Sequence, residues 1–249
     1  MKNNFLLKVR KPLINPCHKL ICLHHAGGGA SSFYTWFKFF DGMIEVAAVQ
    51  FPGREERIND KLCDNREGLI EELVVAVKEY VGDNKFSVFG HSMGGVFGYE
   101  IVKRLEQKHN LKASQCFISS SKLWNMGDIL SKSVDDYSDE DFLAAVSAYG
   151  GIDEEFFRIE EFRIAFLSIL RADFKLLEGY TPSEPLTISI PILFMYGTED
   201  RTLKDHQIEK WKQITTKECI YYAFGGGHFY LTDHKKEVCD YIRQRILCK

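Results

Sequence analysis

Short apolar runs alternate along the chain with stretches whose apolar residues recur every three or four positions. The runs are 19–23 (KLICL), 44–49 (IEVAAV), 86–89 (FSVF), 115–119 (QCFIS), 192–196 (ILFMY) and 219–222 (CIYY). Several are apolar at nearly every position, as expected of parallel strands covered on both faces. Between them, Leu69, Ile70, Leu73, Val74, Val77 and Val81 share one helical face. Asp64 is placed to cap that helix and Glu67 to reach back to the cap. Val238, Tyr241, Ile242 and Ile246 repeat the same spacing near the end. The alternation predicts an α/β fold, a mostly parallel central sheet with helices on both faces.

One region interrupts the rhythm. From about 123 to 185 no segment reads as a strand, an insertion of roughly sixty residues between two strands. Ser138-Asp139-Glu140-Asp141 opens a helix carrying Phe142, Leu143, Val146 and Tyr149, and Gly150-Gly151 closes it. A second helix runs from about 160 to 178, with Phe162, Phe166, Ile169, Leu170, Phe174 and Leu177 along one side. The 181–185 segment, TPSEP, stops it. Pattern alone leaves two readings open: an apolar cap over a site, or a decoration packed on the sheet edge.

At 249 residues, the chain fits one large domain and is short for two independent cores. A formal net charge of -3 gives no bulk electrostatic basis for a nucleic-acid partner. The clusters Lys8-Val9-Arg10-Lys11 and Lys235-Lys236 read as solvated surface. No segment has the apolar length of a membrane span, and the first residues lack the apolar stretch and cleavage site of a signal peptide. A cytoplasmic protein with no membrane partner is expected. Seven cysteines, an odd number without a C-x-x-C pair, read as reduced and mostly buried thiols. Neither a disulfide framework nor a metal site is expected. No oligomer seam is visible, so the expectation is a monomer.

The chemistry concentrates where the strand 86–89 runs into Gly90-His91-Ser92-Met93-Gly94-Gly95, followed by a helical pattern. This is G-x-S-x-G between a strand and a helix. Three fixed positions match by chance in about 8% of chains this long, so the flanking elements carry the specificity. In that setting the serine sits on a sharp, strained turn with its hydroxyl exposed at a helix N-terminus. The N–H of Met93 is then placed to bind an oxyanion.

A serine hydroxyl needs a base, and the base needs an orienting acid. In the α/β-hydrolase fold the chain order is Ser, acid, His. Of the histidines after Ser92, His228 lies in Gly225-Gly226-Gly227-His228, in a loop after the strand 219–222. Loops at the carboxyl ends of strands are where ligands gather in open sheets. His109, His206 and His234 lie in charged helical contexts and read as surface residues. The acid should follow the strand ILFMYG. Asp200 is favoured over Glu199 because it stands three residues past Gly197. A second oxyanion donor should come from the glycine loop after the strand 19–23, with the Ala26 N–H first and Gly27 close behind. His24 and His25 read as residues that shape this loop. Adjacent side chains at a strand end point apart, which argues against a metal site there.

The ordered series HHAGGGAS, FPGREER, GHSMGG, RADF, GTEDR and GGGHFYL resembles the type II thioesterases, discrete enzymes that accompany nonribosomal peptide and polyketide synthases. The resemblance runs from about Lys19 to Arg245. It implies Ser92, Asp200 and His228 as the catalytic triad, and the insertion as a lid. It also implies a substrate-side position for Gly27 and for Arg54, within a 51–55 loop lining the site entrance. The implied substrate is an acyl or aminoacyl thioester on the phosphopantetheine arm of a carrier protein, with no cofactor of the enzyme's own. Position 24 is often proline in that family and is histidine here. Three alternatives remain open at this stage. One is a medium-chain thioesterase that releases products from fatty acid synthase. Another is a generic carboxylesterase. The third is a catalytically silent binding protein on the same fold.

Overall fold

The computed structural model describes residues 6–123, 130, 132–147, 149–150, 159–184 and 186–248. Seven strands form one sheet: β1 (Leu7–Lys8), β2 (His18–Leu23), β3 (Ile44–Val49), β4 (Phe86–His91), β5 (Cys116–Ser119), β6 (Ile192–Gly197) and β7 (Cys219–Phe224). Their order is β1-β3-β2-β4-β5-β6-β7. β1 pairs antiparallel with β3, and every other pairing is parallel. Among the described residues six α-helices accompany them: α1 (Arg66–Val81), α2 (Met93–His109), α3 (Asp139–Ser147), α4 (Glu160–Leu177), α5 (Asp205–Gln213) and α6 (Lys235–Leu247).

The continuous apolar runs are explained by two cores, one on each face. Ile21, Leu23, Val88, Ile192 and Phe194 pack on the side of α1 and α2. Their strand neighbours Leu20, Cys22, Phe89, Leu193 and Met195 pack on the other side with Trp36, Phe40 and α6. A period of two on doubly covered strands leaves few polar positions, such as the buried Glu45 and Ser87, which is why the runs show little alternation. A third, smaller cluster joins Val134, Phe142, Val146, Leu167, Leu170 and Phe174 inside the insertion.

Three local expectations need correction. Asn65, not Asp64, caps α1: the helix begins at Arg66, and the Asn65 side chain accepts the Gly68 N–H at 3.1 Å. The cap is the residue just before the first helical one, and Asp64 is one residue too early. β1 leaves no legible pattern because it contributes only two residues to the edge. β7 is the opposite edge strand, and its Tyr221 and Tyr222 are exposed rather than covered. In the insertion, α3 ends at Ser147, with Ser138 Oγ accepting the Asp141 N–H at its start. Gly151 and Pro185, expected as helix stops, lie outside the described residues.

The register assembles one end of the sheet. Leu23 pairs with Gly90, so the loop after β2 emerges beside the residue that follows β4. Gly197 pairs with Phe224, so the loops after β6 and β7 emerge together. All four loops leave at the carboxyl edge, where open α/β sheets bind ligands.

Candidate active site

β4 ends at His91 and α2 begins at Met93, so Ser92 alone makes the turn, with φ 54° and ψ −117°. A non-glycine residue at positive φ stores about 1–3 kcal/mol, sustained only where the surroundings over-determine it. Here the Ser92 N–H is held by the Ser119 carbonyl at 2.8 Å. Two flanking glycines make the turn possible. A Cβ on Gly90 would overlap the Gly94 carbonyl, and one on Gly94 would overlap the Leu23 carbonyl. The close approach of strand, helix and neighbouring strand therefore excludes any side chain there.

Asp200 and His228 meet from the paired β6 and β7 loops, with His228 Nδ1 at 2.9 Å from Asp200 Oδ2. Both side chains are essentially buried. Burial alone would raise the Asp200 carboxyl. Hydrogen bonding and charge interaction with His228, together with the Thr202 hydroxyl, more than offset it and hold the carboxyl below its ordinary value. An ionised carboxylate only accepts, so the proton of this hydrogen bond sits on Nδ1 and leaves Nε2 with a lone pair. Glu199, the alternative acid, is exposed.

Thr202 is a site residue that sequence reasoning missed. Its N–H and hydroxyl both donate to Asp200 Oδ1, at 3.0 and 2.6 Å, and its hydroxyl oxygen lies 3.1 Å from His228 Nδ1. The signal was present as Asp-x-Thr, a spacing at which an aspartate turns back onto the backbone two residues on.

The remaining histidines divide by surroundings. His109 and His234 are partly exposed and engage Lys78 and Glu237. His206 lies in α5, and its side chain is outside the described residues. His24, His25 and His91 are held neutral. Burial is the main cause for all three, with His228 or Arg54 nearby adding to it. His25 is lowered to about 4. His24 donates its Nδ1–H to the His25 carbonyl at 2.8 Å and stands edge-on to Phe51. His91 stands 5.2 Å from the His228 ring, centroid to centroid.

These histidines give a pH prediction. Their folded pKa values lie below the unfolded value, so the unfolded chain binds more protons as pH falls below about 6.5. Stability is full above that pH and declines below it, His25 contributing about 1.4 kcal/mol per pH unit down to about 4 and His24 and His91 adding in the same sense. Asp173, raised by burial against the pull of Arg54 and the Gly27 N–H, works in the opposite sense but is one group against three. Denaturant unfolding between pH 7.5 and 4.5 should therefore show stability falling steeply below pH 6. A flat profile would contradict the buried neutral state.

The glycine loop is fixed from the insertion. Gly27 has φ +79°, and a Cβ there would sit 3.0 Å from Leu170 Cδ1. The Gly27 N–H donates to Asp173 Oδ2 at 2.8 Å, and the Gly28 N–H to the His25 carbonyl at 3.0 Å. The N–H groups of Ala26 and Met93 have no acceptor among the described residues. Gly27, named second as a donor, has its N–H already committed.

Arg54, expected at the substrate, lies elsewhere. Its side chain is 5% exposed and is absent from the pocket wall. It donates to both Asp173 oxygens, Nη1 to Oδ2 at 2.6 Å and Nη2 to Oδ1 at 2.7 Å. A guanidinium with a matching carboxylate satisfies its charge there rather than at a ligand.

Ser92 and His228 open on one cavity of about 90 Å³, small beside the ~300–1,000 Å³ of sites for drug-sized ligands. His25, Ala26, Gly27 and Phe229 complete its body side. Val146, Tyr149, Gly150, Phe166, Leu170, Phe174 and Leu177 from the insertion cover it, so the insertion roofs the site. Among the described residues that line it there is no Asp, Glu, Lys or Arg.

The parallel sheet, the strained serine between β4 and α2, and the paired acid and histidine loops define an α/β-hydrolase. Comparison with known proteins narrows the class: the chain belongs to the thioesterase family, whose thioesterase domain model matches residues 18–246. It is therefore a hydrolase of thioesters. Thioesterase PikA5 of Streptomyces venezuelae is 30% identical over 95% of this chain and 83% of its own length. The human medium-chain S-acyl fatty acid synthase thioesterase is 31% identical over 90% of this chain and 85% of its own. Among solved structures, YbtT, a type II thioesterase from the yersiniabactin NRPS/PKS biosynthetic pathway, superposes with a TM-score of 0.83 at 25% identity. That match covers 95% of this chain and 96% of YbtT.

Proposed function

We propose that the protein is a type II thioesterase that clears short acyl or aminoacyl groups from the phosphopantetheine arms of synthase carrier proteins. In this mechanism Ser92 attacks the thioester carbonyl as His228 Nε2 takes its proton. The N–H groups of Met93 and Ala26 hold the oxyanion of the tetrahedral intermediate. Collapse breaks the C–S bond, and His228 returns the proton to the departing thiol. Water, deprotonated by His228, then attacks the acyl-Ser92 ester. The acid is released and the serine regains its proton. Asp200 keeps the imidazole in the Nδ1–H tautomer and stabilises its protonated form, and Thr202 fixes Asp200. Because Met93 N–H heads α2, the positive end of a 17-residue helix adds to the oxyanion's stabilisation.

The observation that carries the reading is the acid–histidine pair beside a strained serine, opening on a small cavity whose described lining is mostly apolar. A small apolar wall favours a short acyl chain, and the likeness to YbtT supports a carrier of a peptide or polyketide synthase as its bearer. The likeness to the human fatty acid synthase enzyme supports a second reading, release of medium-length chains. A panel of acyl-carrier thioesters separates the two. The proposal expects acetyl, propionyl and aminoacyl carriers to turn over at least tenfold faster, in kcat/KM, than octanoyl to dodecanoyl carriers. The reverse order would assign the second reading. Faster cleavage of matched oxygen esters would overturn both.

A further inference from the structure

We infer that Arg54 and Asp173 form a positioning pair through which the roof of the site sets the oxyanion loop, an inference that rests on the mechanism proposed above. Asp173 is wholly buried in α4, and the pair makes every contact its charges require. One carboxylate oxygen accepts from Arg54 Nη2, and the other from Arg54 Nη1 and the Gly27 N–H. Arg54 Nη1 also donates to the Gly28 carbonyl at 3.1 Å. The pair thus holds a backbone N–H on Gly27 and a backbone carbonyl on Gly28, next to the Ala26 N–H that receives the oxyanion. Glu55 extends the hold by accepting from the Ser31 N–H and hydroxyl.

The anchoring of α4 makes Asp173 a fixed reference. Arg66 donates to the Leu176 and Glu178 carbonyls, Tyr180 to Glu100, and Lys103 to Ser183, so the end of α4 is tied to α1 and α2. Two residues before Asp173, Arg171 donates to the Val134 and Tyr137 carbonyls and to Asp139, binding α4 to the rest of the roof. One residue after it, Phe174 lines the cavity. A single helical turn therefore holds the roof together, positions the oxyanion loop and shapes the acyl wall. A loop bearing a flexible glycine at φ +79° needs such an external hold to keep its donor aimed.

A buried ion pair can be replaced by apolar residues without loss of stability, whereas removing one partner strands a charge. The informative variant is therefore the double substitution Arg54→Met/Asp173→Leu, beside Asp173→Asn alone. Loss of a whole oxyanion donor costs about 10²–10³ in kcat, so a misaimed donor should cost about 10–100-fold. In the double variant the thermal midpoint should stay near wild type, while kcat on acetyl-carrier falls about 10–100-fold and KM changes less than about threefold. Affinity for a pantetheine-linked trifluoromethyl ketone, which forms a tetrahedral adduct with serine, should fall by the same factor as kcat/KM. Asp173→Asn should lose both kcat and stability. A folded double variant with wild-type kcat, or one whose loss lies wholly in KM, would overturn the positioning role. Wild-type enzyme failing to cleave any carrier thioester would instead overturn the underlying mechanism.

Discussion

Replacing Ser92 by alanine should lower kcat on acyl-carrier thioesters by about 10⁴–10⁶-fold, with little change in stability. The size follows from the chemistry. The hydroxyl is the only atom removed, and without it no acyl-enzyme forms, so what remains is attack by water assisted by the oxyanion donors and by binding. Stability should hold because the turn is set by backbone contacts, the Ser92 N–H to the Ser119 carbonyl and the glycines on either side. Alanine carries the same Cβ at φ 54° as serine. Steady-state hydrolysis together with a thermal melt checks both halves. A variant that keeps more than about 1% of wild-type kcat while folding normally would remove Ser92 from the mechanism.

Asp200→Asn should cost about 10⁴ in kcat while leaving substrate binding nearly unchanged. Here the loss comes from a misplaced proton rather than a missing atom. The carboxylate can only accept, which forces the proton onto His228 Nδ1 at 2.9 Å and frees Nε2. An asparagine amide turned toward the ring donates instead. Nδ1 then becomes the acceptor and Nε2 carries the proton, so it cannot take another from serine. Thr202 favours that orientation, because its N–H and hydroxyl donate to Oδ1 and keep an oxygen on their side. Kinetics should show the loss in kcat rather than KM, and nitrogen NMR should show the His228 proton moving from Nδ1 to Nε2. An Nδ1–H signal retained alongside a loss below tenfold would contradict the orienting role.

The elements that could be read from sequence are those whose physics is local. Strand runs were visible because both faces of β2, β4 and β6 are largely buried, so most positions are apolar. The turn at Ser92 was visible because strand, glycines and helix adjoin in the chain. His228 and Asp200 followed from the order of residues in the α/β-hydrolase fold. What could not be read depends on contacts between distant segments. Arg54 and Asp173 are 119 positions apart, and nothing in either stretch reveals that the two charges neutralise each other. The family resemblance implied a substrate-side place for Arg54, and its own stretch shows no partner along the chain that would correct this. The roof was ambiguous for the same reason. The apolar stripe of α4 showed that it buries a face, but only packing against Gly27 and the cavity shows which surface it covers. Asn65 and Thr202 are a different kind of omission, since capping and turn chemistry could have found both.

Single-turnover acyl transfer tests the central claim most directly. Excess enzyme is mixed with acetylated carrier protein, quenched within the first turnover, and mapped by mass spectrometry of its peptides. The mechanism predicts that the carrier regains its free phosphopantetheine thiol as an acetyl group appears on the peptide containing Ser92, and that this group then disappears as acetate forms. Loss of the carrier's acetyl group with no acyl-Ser92 at any time, or an acyl group on another residue, would contradict it.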